Sequence, residues 1–305
     1  HHVHSRDGPE EDNAGVRMPS RGMLTFADAE ATYEDSEFVI LGAPFDRTTT
    51  FRSGARFAPT SIRAASSNFE KELFEMGVTF DDIKVHDAGD LYEEGTVDVM
   101  VSAIEEEARK IAKDGKFLVT MGGEHSVSPP LVKALGKDIS VITIDAHLDY
   151  REEYQGLKNS HACAHKRIED VVGKGNVFAF GVRSISGDED RESALYADAF
   201  RIHEEGCESV FDEMLGKLKR EPVYLTLDID GIDPAYAPGT GTPEPFGLTP
   251  WDVRHIIDRL GDRLVGFDVV EVCPPYDNGN TSIMAARMIR EVIAVKWKAS
   301  RAGKA

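Results

Sequence analysis

The run Ser140-Val141-Ile142-Thr143-Ile144-Asp145-Ala146-His147-Leu148-Asp149 decides the fold class. Its first half offers apolar or β-branched side chains to both faces, which is how a strand reads when it is buried inside a parallel sheet. Its second half turns polar at once. Asp145, His147 and Asp149 follow at a spacing of two, so all three fall on one face of an extended segment. A strand buried on both sides that ends in a row of potential ligands fits an open α/β sheet, where ligands sit beyond the carboxyl ends of the strands.

Working outward from this strand at 139–145, further strands are expected at 37–44, 83–88, 116–121, 177–182, 200–203, 222–228 and 263–271. Amphipathic stretches lie between them. Residues 96–114 set Val97, Met100, Val101, Ile104, Ala108 and Ile111 on one helical stripe, and Gly115 ends it. Similar segments are 59–70, 161–172, 208–218, 250–260 and 280–297. This alternation has no Pro/Gly/Ser-rich linker near its middle and no internal repeat, which predicts one doubly wound α/β domain with a parallel sheet. Residues 1–20 read as a loose arm or tag remnant, with the folded catalytic domain expected over 21–305.

Composition narrows the function classes. The 305 residues are 41% apolar and 29% charged, ordinary globular values that exclude disorder, coiled coils and collagen-like chains. No apolar run reaches the roughly 18 residues that span a bilayer, so no membrane partner is expected. Lys+Arg 35 against Asp+Glu 54 leaves a formal charge of −19. Such a chain repels a phosphate backbone, and the one short basic run is 296–304, so no nucleic acid partner is expected. The same balance suits solubility or attraction of a small cation. Cys163, Cys207 and Cys273 are too few and scattered for a disulfide framework, and no apolar signal-peptide core opens the chain, which together predict a cytoplasmic protein.

The other strand ends repeat the device. Strand 116–121 runs into Gly122-Gly123-Glu124-His125-Ser126, strand 222–228 into Asp228-Ile229-Asp230-Gly231-Ile232-Asp233-Pro234, and the last strand carries Glu271. If the sheet forms, these groups converge on a pocket holding His125, Asp145, His147, Asp149, Asp228 and Asp230. Several uncompensated buried carboxylates would be very costly. Two dications balance the four aspartates, and hard oxygen with borderline nitrogen ligands and no thiolate favours manganese. Gly122-Gly123 lacks the Gly-Lys-Ser/Thr ending of a phosphate loop. Counted from Asp228, an EF-hand needs Gly at position six and Glu at twelve, where this sequence has Asp233 and Gly239.

These motifs resemble the ureohydrolase family of arginases, agmatinases and related amidinohydrolases. The similarity runs from Gly42-Ala43-Pro44-Phe45-Asp46 and Arg52-Ser53-Gly54-Ala55-Arg56-Phe57-Ala58-Pro59 to the Glu271 strand. Gly-Gly-Glu-His, Asp-Ala-His-x-Asp and Asp-Ile-Asp-Gly-Ile-Asp-Pro, followed by Ala237-Pro238-Gly239-Thr240-Gly241-Thr242-Pro243-Glu244, are its most specific pieces. The last of these and the 148–163 loop look most like agmatinases.

The resemblance implies an arginase-like three-layer α/β/α domain with a mainly parallel sheet of about eight strands. It implies two Mn2+ per subunit, one held by His125, Asp149 and Asp228, the other by His147 and Asp230, with Asp145 bridging and Asp228 shared. A metal-bridging hydroxide would attack a guanidinium carbon, hydrogen-bonded by Asp149, while Glu271 holds the guanidinium. His161 matches the catalytic histidine that moves the proton, with His165 one turn later as the alternative. Cys163 reads as packing.

The implied reaction is hydrolysis of agmatine to urea and putrescine, with Glu152 or Glu244 drawing the substrate's ammonium. Alternatives are guanidinobutyrase, to whose substrate carboxylate Arg151 would pair, guanidinopropionase, arginase, or a catalytically silent binding protein of this family. A one-metal zinc deacetylase would not need His125 and Asp149. Family resemblance also implies a homotrimer or homohexamer. Two positions depart from the family: Phe246 replaces a usual Gly and is expected to reshape the pocket wall, and Cys273 stands beside Glu271 where Asn or Ser is frequent.

Overall fold

Phe38–Ala43 (β1) shows why this chain builds a sheet covered on both sides. Phe38 and Ile40 enter one apolar cluster while Val39, Leu41 and Ala43 enter another, the period of two of a strand with no solvated face. The computed structural model describes residues 24–92 and 95–302; the arm expected over 1–20 lies outside them. Within them, β1 is joined by Val85–Asp90 (β4), Phe117–Gly122 (β5), Ser140–Ile144 (β6), Val177–Val182 (β7), Tyr196–Asp198 (β8), Val223–Asp228 (β9) and Leu264–Val270 (β10). Glu72–Leu73 (β2) and Val78–Thr79 (β3) form a separate short antiparallel hairpin. The main sheet has eight strands in the order β4-β1-β5-β10-β9-β6-β7-β8, every neighbouring pair parallel.

Helices Val97–Lys113 (α2), Ser128–Leu135 (α3) and Ala164–Val172 (α4) cover one face, sharing a core with Val39, Leu118 and Val141. Helices Ala58–Ser66 (α1), Ala199–Glu205 (α5), Cys207–Lys217 (α6), Pro250–Leu260 (α7) and Asn280–Ala302 (α8) cover the other, against Ile40, Val119, Leu225 and Phe267. This is the expected three-layer α/β/α sandwich. No helix among the described residues is long and apolar enough to cross a membrane.

Two expectations change. Residues 200–203 are helix, not strand: Asp198 ends β8 and caps α5, its side chain accepting the Arg201 N–H at 2.8 Å. Helix α3, outside the segments expected as helical, carries Pro129 and Pro130. Both lie in its first turn, where no intrahelical N–H is required.

The strand order is what builds the site. β5, β10, β9 and β6 are consecutive neighbours at the centre of the sheet, so the residues beyond their carboxyl ends face one another. Gly123 makes the close approach possible: a Cβ there would lie 2.1 Å from the Phe45 carbonyl oxygen and 2.7 Å from that of Ala43. The exits of β5 and β1 are packed backbone against backbone.

Candidate active site

His125 opens the 3-10 turn His125–Val127 after β5 and is wholly buried. Its Nε2 lies 3.0 Å from the Thr226 hydroxyl, which itself donates to Asp268 Oδ1 at 2.6 Å. The hydroxyl therefore accepts from Nε2–H, leaving Nδ1 as the ring nitrogen that faces the carboxylates. Around Nδ1 stand carboxylate oxygens of Asp145 (3.1 Å), Asp228 (3.2 Å) and Asp149 (3.5 Å). A second group adjoins it: His147 Nδ1 lies 3.0 Å from Asp230 and 3.6 Å from Asp145. Asp145 belongs to both groups. Short backbone bonds fix the carboxylates, His147 N–H to Asp145 at 2.8 Å, Ala146 N–H to Asp230 at 3.1 Å and Asp230 N–H to Asp228 at 3.0 Å.

Electrostatics show what the pocket demands. Burial opposes a charged His125, yet the three carboxylates outweigh it and hold its pKa well above the usual imidazole value. His147 behaves likewise, with Asp230 and Asp145 overcoming burial. Burial and the neighbouring Asp145 raise the pKa values of Asp149 and Asp228. Burial also pushes Asp230 upward, but His147 prevails and lowers it. Every group asks for positive charge in the middle.

A cavity of about 260 Å3 opens onto this cluster, lined by His147, Asp149, Asp228, Asp230, His161 and Glu271. Glu271 follows β10; its Oε1 accepts the His125 N–H at 2.7 Å and faces His161 Nδ1 at 3.1 Å. His161 begins the 3-10 turn His161–Cys163 ahead of α4. Burial disfavours its charged form, but Glu271, with Glu124 and Asp149, pushes its pKa up to about 9. His165 is buried away from the cavity against the Tyr150 ring, centroids 5.1 Å apart, and burial brings its pKa down to about 4. Burial pushes the Cys163 thiol up to about 11, a packing residue rather than a thiolate. Asp149 and Glu271 both hold positive φ, 53° and 67°, backbone strain of the kind concentrated at functional sites.

The family model described as Arginase family matches residues 36–295. The chain belongs to the arginase family. It is 37% identical to the agmatinase of Bacillus anthracis over 279 residues, covering 88% of this chain and 94% of that one. It is 36% identical to the guanidinobutyrase of Pseudomonas aeruginosa over 283 residues, 88% of each chain. The crystal structure of agmatine ureohydrolase of Thermoplasma volcanium superposes with a TM-score of 0.88 at 39% identity, covering 92% of this chain and 96% of that one.

Arginase-family membership and the donor set make this a divalent-metal site. The fit rests on one atom above all: His125 Nδ1 is buried with no hydrogen-bond partner although three carboxylates surround it. A ring nitrogen that offers its lone pair once its proton leaves, with three anions converging on the same point, makes the ligand set of a cation. Thr226 and Asp268 hold the ring from behind, as outer-shell partners of a ligating histidine do.

The two carboxylates expected to draw the substrate's ammonium are not brought to the cavity. Glu152 is exposed and pulled outward by Arg167 at 2.9 Å and Lys166 at 3.9 Å. Glu244 lies outside the lining, its carbonyl accepting from Arg183 at 3.0 Å. Glu189, overlooked in the sequence, lines the cavity instead. Its oxygens accept the N–H groups of Tyr150 at 2.7 Å and Ser186 at 2.9 Å, and burial raises its pKa. Ser184, Ile185 and Ser186 line the same wall. The signal was present: this segment leaves β7 at the rim where the other site residues lie. Phe246 does not shape this cavity; it is exposed, at φ 67°, beside Phe200. The Cys273 thiol donates to the Ser53 carbonyl at 3.3 Å.

Proposed function

We propose that the chain hydrolyses agmatine to urea and putrescine with two Mn2+ per subunit. Arginase-family membership and agmatinase relatives make it an amidinohydrolase. The observation that carries the reading is the cavity itself, with the carboxylate–imidazole cluster on its floor and Glu271 and His161 on its wall. His125, Asp145, Asp149 and Asp228 would hold one ion, and Asp145, His147 and Asp230 the other. Oxygen and imidazole donors without thiolate favour manganese. When bound, the pair supplies hydroxide near neutral pH by acidifying water.

The chain's own groups do the rest. Glu271 takes the planar guanidinium by charge-assisted hydrogen bonds and turns its carbon toward the cluster. Asp149 orients the attacking water. His161, protonated at neutral pH, gives its proton to the leaving nitrogen so that putrescine departs as a neutral amine group rather than an amide anion. Glu189 receives the distal ammonium. Arg151 also lines the cavity, which favours guanidinobutyrate as the second reading. Its charge is partly spent, however, stacked on Tyr154 at 4.6 Å and 3.6 Å from Asp188, so a cationic tail suits this end better.

Residues 21–305 form the catalytic unit in this reading, assembled as a homotrimer or homohexamer by likeness to the family. Three free thiols support residence in a reducing cytoplasm. The test is urea release with added manganese from agmatine, arginine, 4-guanidinobutyrate and 3-guanidinopropionate. Agmatine should give the highest kcat/KM. A clear preference for guanidinobutyrate would transfer the assignment, and no urea from any substrate would leave a binding protein.

A further inference from the structure

The inner wall of the cavity is tied together by a hydrogen-bond circuit that the reaction scheme does not use. Glu124 is completely buried, and its carboxylate accepts both the backbone N–H of Thr48, at 2.6 Å, and the Thr48 hydroxyl. With its proton given to Glu124, that hydroxyl has only lone pairs left to offer. One of them receives the backbone N–H of His161 at 3.0 Å. The His161 ring then meets Glu271 Oε1 at 3.1 Å, and the same oxygen accepts the His125 N–H at 2.7 Å. His125 is the residue after Glu124, so the circuit closes.

We propose that the Thr48 hydroxyl is a positioning group for the candidate proton carrier, anchored by Glu124 on one side and fixing the His161 backbone, and so its imidazole against Glu271, on the other. Thr48 lies in the loop after β1, and His161 is 113 residues further along the chain. The hydroxyl thus ties two segments that no shared secondary structure holds together. A proton donor must be held within hydrogen-bond reach of its target, and a displacement of about 1 Å can cost about 100-fold in rate. Valine keeps the shape of threonine and leaves the Thr48 N–H bond to Glu124 intact, so Thr48→Val removes the two hydroxyl bonds alone.

The kinetic arm rests on the amidinohydrolase reading; a second arm does not. Wild type, Thr48→Val and Thr48→Ser are compared for agmatine turnover with manganese, for bound manganese, and for hydrogen exchange of a peptide covering residues 157–163. Thr48→Val should lower kcat about 10- to 100-fold, with KM and metal content little changed. It should also speed exchange in that peptide. Thr48→Ser should recover most of both losses, because it restores the hydroxyl. Should Thr48→Val fail to fold, Glu124→Gln serves in its place. It offers one carbonyl acceptor to two donors, so it should speed exchange in the same peptide. Wild-type turnover or unchanged exchange in Thr48→Val overturns the proposal. So does a Thr48→Ser variant as impaired as Thr48→Val, which would assign the effect to packing. If no guanidino compound yields urea even with wild type, the functional reading falls while exchange still decides this one.

Discussion

His161 is pulled in opposite directions by burial and by carboxylates, and the carboxylates win. Its pKa, pushed up to about 9, makes it cationic at neutral pH, which is the form a proton donor needs. His161→Asn should therefore lower kcat by about 100- to 10,000-fold while bound manganese, measured by metal analysis, stays unchanged. The sign of the metal's effect also follows. Dications nearby disfavour imidazolium, so the His161 pKa read from the pH dependence of kcat with manganese bound should lie below the value that NMR gives for the metal-free protein. Glu189 and Glu152 make a second contrast. A charge-assisted hydrogen bond contributes about 1.5–3 kcal/mol, so Glu189→Gln should raise KM for agmatine by about 10-fold or more. Glu152→Gln, whose carboxylate is engaged with Arg167, should leave the kinetics unchanged.

At the scale of the elements, Gly123 sets the tolerance of the site. A methyl group 2.1 Å from the Phe45 carbonyl has backbone on its far side and nowhere to move. Gly123→Ala should cost more than about 3 kcal/mol in urea denaturation or prevent folding. Gly216, in α6 where an added methyl group would meet nothing within 4 Å, is the control. Gly216→Ala should be neutral or stabilising by up to about 1 kcal/mol. The strands and the ligand-bearing ends were legible in the sequence because a buried parallel strand must be apolar on both faces, and β6 changes abruptly at Asp145. Their convergence was legible only conditionally. The adjacency of β5, β10, β9 and β6 depends on strand order, which local periodicity does not encode. Residues 200–203 are helix and not the expected strand because Asp198 caps α5 just ahead of them, and four residues are too few for apolar periodicity to tell the two apart. Glu189 is not legible because it lies in a loop of Ser, Gly and Asp with no ligand-like spacing, and charge alone does not show that Glu152 pairs with Arg167 and Lys166 or that Glu244 stands outside the lining.

Over the whole molecule, stability, metal and pH are linked. Burial pushes Glu124 up to about 7 from 4.5. His161 rises to about 9 from 6.5, because the carboxylates around it outweigh burial. Both folded values exceed the unfolded ones. Each group therefore adds stability that is complete below its unfolded value and lost as pH rises through its folded value. The metal-free protein should weaken between about pH 5 and pH 9. Metal binding strengthens over the same interval as protons leave the ligands, contributing about 4 kcal/mol once free manganese is a thousandfold above its Kd. The difference in Tm between manganese-loaded and chelated protein should widen as pH rises; a narrowing difference would contradict the ligand assignment.

Of the strands among the described residues, β10 comes last in the chain, yet it lies between β5 and β9. It acts as a keystone. Before it inserts, the strands already synthesised have no edge-to-edge join between β4-β1-β5 and β9-β6-β7-β8, and His125 stands on one fragment while the aspartates stand on the other. A ribosome must therefore extrude β10 before His125 can join Asp145, Asp149 and Asp228, whereas Asp145, His147 and Asp230 already stand together on the β9-β6 fragment.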